Sequence, residues 1–338
     1  LGEIHFQTEQ EVLKKLQKSN IYREFENLNK LRQKEFLNFC TGKNMTALTY
    51  DKIFKKIFNF ERNPERLKHF LSAVLGFEVE VLQVLPVESE QMNEYGSVLV
   101  MDILVKTVDG TIINVEMQRI PYAFNGKRVS CYMADLVMRQ YNQVKAMVKE
   151  DPTLTFTYGM MKPVYCLIFF DKSSENMRKL PHNWEDIGEF KFQSELEEEF
   201  LEHVHYVELD KFRENVQTIS NEKERWVSLL SADTPEKVQE VAASSPEMFE
   251  IIAEVAEYAM DAREVMNMYS EALRILDRNT EKYMMDEAMK KLEEKDKALE
   301  EKDRVLEEQD KELQKERREK EKYQRELEAL KKQLAEKK

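Results

Sequence analysis

"SVLVMDILVKTVDGTIINVEMQRI", residues 97–120, reads as two β-branched runs folded around a Val-Asp-Gly-Thr turn. Each run carries an acid among Val, Ile, Leu and Met: Asp102 in the first and Glu116 in the second. Two registers are open. A two-residue Asp109-Gly110 turn pairs Val108 with Thr111 and sends Asp102 and Glu116 to opposite faces. A three-residue loop, with Gly110 left-handed and a bulge, pairs Thr107 with Thr111. The second register matches Val105 with Ile113, Ile103 with Val115 and Met101 with Met117, a wholly apolar face. It sets Asp102 across from Glu116 on the other face, with Gln118 one pleat further. Apolar patterning selects it.

Directly opposed strand residues have Cβ atoms about 5 Å apart, and like charges there destabilise. Two carboxylates so placed share a proton or bind a cation. Hard oxygen donors suit Mg²⁺ or Mn²⁺, which takes one or two carboxylates and keeps waters for substrate. The alternative is an edge hairpin whose acids simply meet solvent.

The chain has 338 residues, 35% of them charged, more than a compact domain uses, which points to a solvated helical appendage. Its three cysteines, Cys40, Cys131 and Cys166, have no paired spacing, so a disulfide framework is not expected and a reducing compartment is. No apolar run is long enough to cross a bilayer and no secretory leader pattern opens the chain, so the expectation is a cytoplasmic protein without membrane partners. The net charge of −13 is unevenly spread: summed from the sequence, residues 1–50 carry +2, 51–170 carry 0, 171–280 carry −14 and 281–338 carry −1. The acidic stretch is therefore not one that grips phosphates.

Residues 7–40 have helical spacing and read as a helical extension, with 1–44 as the N-terminal region. "TYDKIFKKIF", 49–58, places Ile53, Phe54, Ile57 and Phe58 on one helix face. "NPERLKHFLSAVLGF" has Asn63 as N-cap, Pro64 at N1 and Gly76 as the stop. Strands are expected at 78–84, 98–107, 111–118, 163–170 and 203–209, and a long helix over 121–150. The order predicts an α/β fold with a central sheet under helical cover. Residues 216–280 read as a helical region. In 281–338, leucines recur at 292, 299, 306 and 313, but the companion heptad position holds Lys295, Lys302, Gln309 and Glu316. That pattern fits a long charged helix or weak coiled coil, an arm for homo-oligomer assembly. His203 and His205 alternate and share a face, without an evident third metal ligand.

Asp-x(13)-Glu-x-Gln across a hairpin, after a helix opening "DKIFKKIF", resembles the PD-(D/E)XK nuclease superfamily. Within it, the chain is similar to the Rpn family of recombination-promoting nucleases, also described as PD-(D/E)XK nuclease family transposases. "RVSCY" at 128–132 and "FTYGMMKPVYCLIFF" at 156–170 carry the likeness further, and it spans 45–215 as a nuclease domain.

The resemblance implies a restriction-endonuclease-like core, a central mixed sheet flanked by helices, and Mg²⁺- or Mn²⁺-dependent cleavage of DNA. It implies Asp102 and Glu116 as metal-binding carboxylates, Gln118 at the superfamily's lysine position, and Asp51 as the acid of the first core helix. Gln118 cannot supply positive charge as Lys does. Lys55 and Arg128 are the cations placed to do so, and Tyr132 lies one helical turn beyond Arg128. The expected function is a Mg²⁺-dependent DNA endonuclease of low sequence specificity, linked to recombination or mobile elements. Two alternatives stay open: an inactive nuclease-fold scaffold assembling through its helical tail, and an RNA-cleaving toxin or defence effector.

Overall fold

The computed structural model describes residues 4–86, 102–119, 126–267, 269, 270 and 273, with isolated positions 295, 299, 301, 302, 304 and 320. The chain divides into two compact units, Leu1–Thr280 and Glu281–Lys338. The expected charged tail falls almost wholly outside the described residues.

The hairpin adopts the bulged register. Thr107 N–H donates to Thr111 O at 2.9 Å, and Gly110 N–H donates to Thr107 O at 3.1 Å. Gly110 has φ +98°, a conformation that costs a side-chain-bearing residue about 1–2 kcal/mol. The Asp109 carboxylate closes the loop by accepting from Thr107, from Thr111 N and, at 3.0 Å, from Thr111 Oγ1. From this turn run β2 (Ile103–Thr107) and β3 (Ile112–Gln118), pairing Val105 with Ile113 and Ile103 with Val115. Met101, expected opposite Met117, lies outside the described residues.

The sheet is six-stranded and mixed, in the order β1 (Val81–Val84), β2, β3, β4 (Val164–Phe170), β6 (Glu202–Glu208) and β5 (Glu185–Glu189). Strands β3, β4 and β6 are parallel and the other pairs antiparallel. The parallel β3–β4 pair requires a crossover, supplied by α6 (Gly126–Glu150). "VYCLIFF" is buried along nearly its whole length, as a strand covered on both faces must be. The fold is α/β and restriction-endonuclease-like, as the sequence predicts. Strand β5 was not anticipated: "EDIGE" carries three acids and a glycine, and forms the edge strand at the opposite side of the sheet from β1.

Two layers cover the sheet. On one face Ile103, Val105, Ile113, Val115, Met117, Leu167 and Phe169 join α4 (Asp51–Ile57), α5 (Pro64–Leu75) and α8 (Glu222–Ser231) in one core. Its centre is aromatic: Phe70 lies 6.1, 4.8, 5.5 and 5.6 Å from the rings of Phe54, Phe58, Phe169 and Trp226. Such packing adds geometric preference to area burial. On the other face Leu104, Ile112, Cys166, Ile168 and Phe170 meet Val129, Tyr132, Met133 and Leu136 of α6.

The expected helix over 7–40 is broken into α1 (Glu9–Gln17), α2 (Tyr22–Asn27) and α3 (Lys30–Cys40). Asn29 restarts the third segment by accepting from Arg32 N at 2.9 Å. Val12, Leu16, Phe25, Phe36 and Phe39 pack into the same apolar core as the sheet. Asn63 does sit at the start of α5, although its side chain makes no cap hydrogen bond, and Gly76 ends the helix at φ +80°. Beyond α7 (Leu209–Asn215) and α8, α9 (Pro235–Ser244) and α10 (Pro246–Ala259) each begin with Pro at the first turn.

Candidate functional site

At the end of the hairpin remote from its turn, Asp102 and Glu116 meet. Asp102 N–H donates to Glu116 Oε1 at 3.3 Å, and Met117 N–H donates to Asp102 Oδ2 at 2.7 Å. Each acid thus reaches across to the other strand. Glu116 is 1% exposed, in the middle strand pair of the sheet, so a solvated acidic edge does not describe it. Burial is the larger cause that pushes the Glu116 carboxyl well above its usual range, and the charge of Asp102 adds to it.

Two amides hold Glu116. Gln118 Nε2 donates to Oε2 at 3.2 Å, from one pleat further along β3. Asn114 Nδ2 donates to Oε1 at 3.1 Å, from one pleat back, and lies 3.5 Å from Cys166 Sγ. Asn114 was not singled out in the sequence. Its signal was a lone amide two residues before Glu116 in "IINVEM", a run whose other residues are apolar. Its Oδ1 is buried with no hydrogen-bond partner.

Helix α6 delivers the cation. Arg128, exposed in the first turn, donates from Nη2 to Tyr132 Oη at 2.9 Å, and its charge draws the Glu116 pKa back down. Tyr132 is buried, and burial followed by the negative field of Glu116 pushes its phenol up to about 12. It stays protonated across the physiological range. Asp51 begins α4, and its side chain lies outside the described part of the structure. Lys55 sits half-buried one turn later on that helix. The structure therefore gathers Asp102, Glu116, Gln118, Arg128 and Tyr132 at one end of the β3–α6 layer.

The donor set fits a hard divalent cation that keeps much of its water. Two carboxylates converge where the charge of Asp102 disfavours that of Glu116, and Asn114 Oδ1 beside them is an unfilled acceptor. Among the described residues no group of three or more His, Cys, Asp or Glu forms a ready metal cage. Mg²⁺ does not need one, since one or two carboxylates and substrate phosphates suffice. The histidine pair is otherwise engaged: His203 stacks on Tyr165 at 4.7 Å, and His205 faces Glu185 at 3.9 Å.

A family model described as PD-(D/E)XK nuclease family transposase matches residues 48–290. The chain belongs to that family. No curated protein and no solved structure matches it. Membership accounts for the mixed sheet and makes the chain a nuclease-type protein, with DNA as the implied substrate. Among the described residues no helix is long and apolar enough to cross a membrane.

Proposed function

We propose that this protein is a Mg²⁺- or Mn²⁺-dependent DNA endonuclease of low sequence preference, acting in recombination or the movement of mobile elements. The observation that carries the reading is the buried Glu116 facing Asp102 across the hairpin, with Gln118 bonded to its second oxygen. Asp102 and Glu116 hold the metal, with Asp51 as the further acid. When bound, the ion polarises the scissile phosphate and lowers the pKa of a water for in-line attack.

The chain's own residues do the rest. Gln118 fixes the Glu116 carboxylate and orients the attacking water, a task open to an amide. Arg128, braced on Tyr132, supplies the positive charge that Gln118 lacks, with Lys55 as the second cation. The balanced charge of 51–170 keeps the electrostatic share of DNA affinity small, so self-assembly through the tail raises avidity.

Plasmid nicking with Mg²⁺, Mn²⁺ or EDTA tests this, alongside Asp102→Ala and Glu116→Ala. Metal-dependent nicking lost in both variants is expected. The −14 charge of 171–280 and the missing lysine favour a second reading, a scaffold with a nuclease fold. Absence of nicking in every metal selects it, and cleavage of RNA in place of DNA assigns the substrate otherwise.

A further inference from the structure

We infer that Arg119 is a positioning residue for the hydrolytic site, tying the last pleat of β3 to the turn from which α4 starts. The inference rests on the nuclease reading above. It adds a residue that touches neither substrate nor metal.

Arg119 directly follows Gln118, where β3 ends and its ladder hydrogen bonds stop. Its side chain is 16% exposed. Nη2 lies 2.9 Å from Glu35 Oε1 on α3 and 3.4 Å from Asp171 Oδ2, just after β4. Nη1 donates to Thr49 Oγ1 at 3.3 Å and to Thr46 O at 3.5 Å, both in the 3₁₀ turn Thr46–Thr49. The guanidinium carbon stands 4.0 Å from the centre of the Tyr50 ring. Tyr50 immediately precedes Asp51. One side chain therefore joins the residue after Gln118 to the residue before Asp51.

The partners are themselves occupied. Glu35 Oε2 accepts from Tyr269 Oη at 2.8 Å. Asp171 faces a second cation, Arg213, at 3.8 Å. Its N–H also donates to Gln118 O at 2.9 Å, so Asp171 grips the end of β3 through its backbone and Arg119 through its carboxylate. Held by two carboxylates, a hydroxyl, a carbonyl and a ring, Arg119 is not a spare cation for phosphate. A planar fork with a stacking face meets all of these partners at once, and an ammonium cannot.

Buried ion pairs are weak stabilisers, because desolvation cancels most of the Coulombic gain. A costly buried network beside the site is better explained by placement. Hydrolytic groups need to be held to within about 0.5 Å, and Gln118 sits where a strand end would otherwise fray.

The test uses the full chain with Arg119→Lys and Arg119→Met, and Glu35→Gln as a milder change that keeps the guanidinium. Plasmid nicking gives kcat and KM, calorimetry with Mn²⁺ alone gives metal affinity, and circular dichroism reports folding. A kcat loss of about 10- to 100-fold is expected for the Arg119 variants, the range of a small misplacement. KM and Mn²⁺ affinity should stay within about twofold, since Asp102 and Glu116 are untouched. If Arg119→Met does not fold, a smaller kcat loss in Glu35→Gln with unchanged KM and Mn²⁺ affinity carries the same meaning. Full turnover in the folded variants overturns the positioning role alone. So does a parallel loss of turnover, Mn²⁺ binding and folded signal. An unaltered protein that cleaves nothing in any metal overturns the nuclease reading and this role with it.

Discussion

The Asn114 amide donates to Glu116 Oε1 at 3.1 Å from inside a strand whose other polar residues are Glu116 and Gln118. A buried amide in such a place is retained at a cost, and its free Oδ1 increases that cost. The bond aims a carboxylate that must present its oxygens outward. Asn114→Leu keeps the volume and removes the donor. The Mg²⁺ concentration at half-maximal nicking should then rise about tenfold, as for other groups that orient a metal ligand. An unchanged Mg²⁺ titration would remove Asn114 from the site.

Glu116 also makes stability depend on pH. Its folded pKa is raised above the unfolded value, first by burial and then by Asp102. The stability attached to its protonated form is therefore complete below the unfolded pKa and is lost as pH rises through the folded one. In EDTA, the melting temperature should fall as pH rises above the ordinary glutamate range, each unit of pKa elevation being worth about 1.4 kcal/mol. Glu116→Gln should flatten this slope, and Mg²⁺ should reverse it in the unaltered protein. A slope equal in both proteins and indifferent to Mg²⁺ counts against the carboxylate pair.

Arg128 and Tyr132 form a unit, because the phenol accepts the guanidinium's hydrogen bond at 2.9 Å. Tyr132→Phe leaves the buried ring in place and should cost about 1 kcal/mol of stability. Nicking should slow about tenfold as the cation loses its brace, and by about 100-fold in Arg128→Ala, a range typical of lost electrostatic stabilisers. Normal rates in both variants would assign the compensating charge to Lys55.

The hairpin register hangs on Gly110. An added Cβ would meet Lys162 Cγ at 3.4 Å, ordinary contact, so the penalty of Gly110→Ala is conformational. Destabilisation of about 1–2 kcal/mol is expected, readable as a thermal shift of a few degrees. A variant as stable as the parent would mean that the loop closes in another turn type.

What could be read in advance follows from the range of the forces involved. The hairpin, the central β4 and the long α6 were legible because apolar alternation, a continuous apolar run and helical spacing are local signals. The facing of Asp102 and Glu116 followed once apolar patterning chose between the two registers that the turn allows. Strand β5 was not legible, since its pairing depends on β6 and not on its own acidic residues. The Arg119 network was beyond sequence reading for the same reason: Glu35 lies 84 positions away and Thr49 lies 70. No pattern within one element marks such a contact.

The acidic border of the sheet has a consequence for crowded solutions. Glu185, Asp186 and Glu189 stand on β5, one of the sheet's two edge strands, where two copies laid side by side along it would set carboxylates against carboxylates. That repulsion guards an open main-chain rim against fibre-like growth. The guard should persist into mild acid: burial opposes the charge of Glu185, but hydrogen bonds from His205 and Lys223 outweigh it, and Lys191 lowers Glu189, so both carboxyls sit below their usual range.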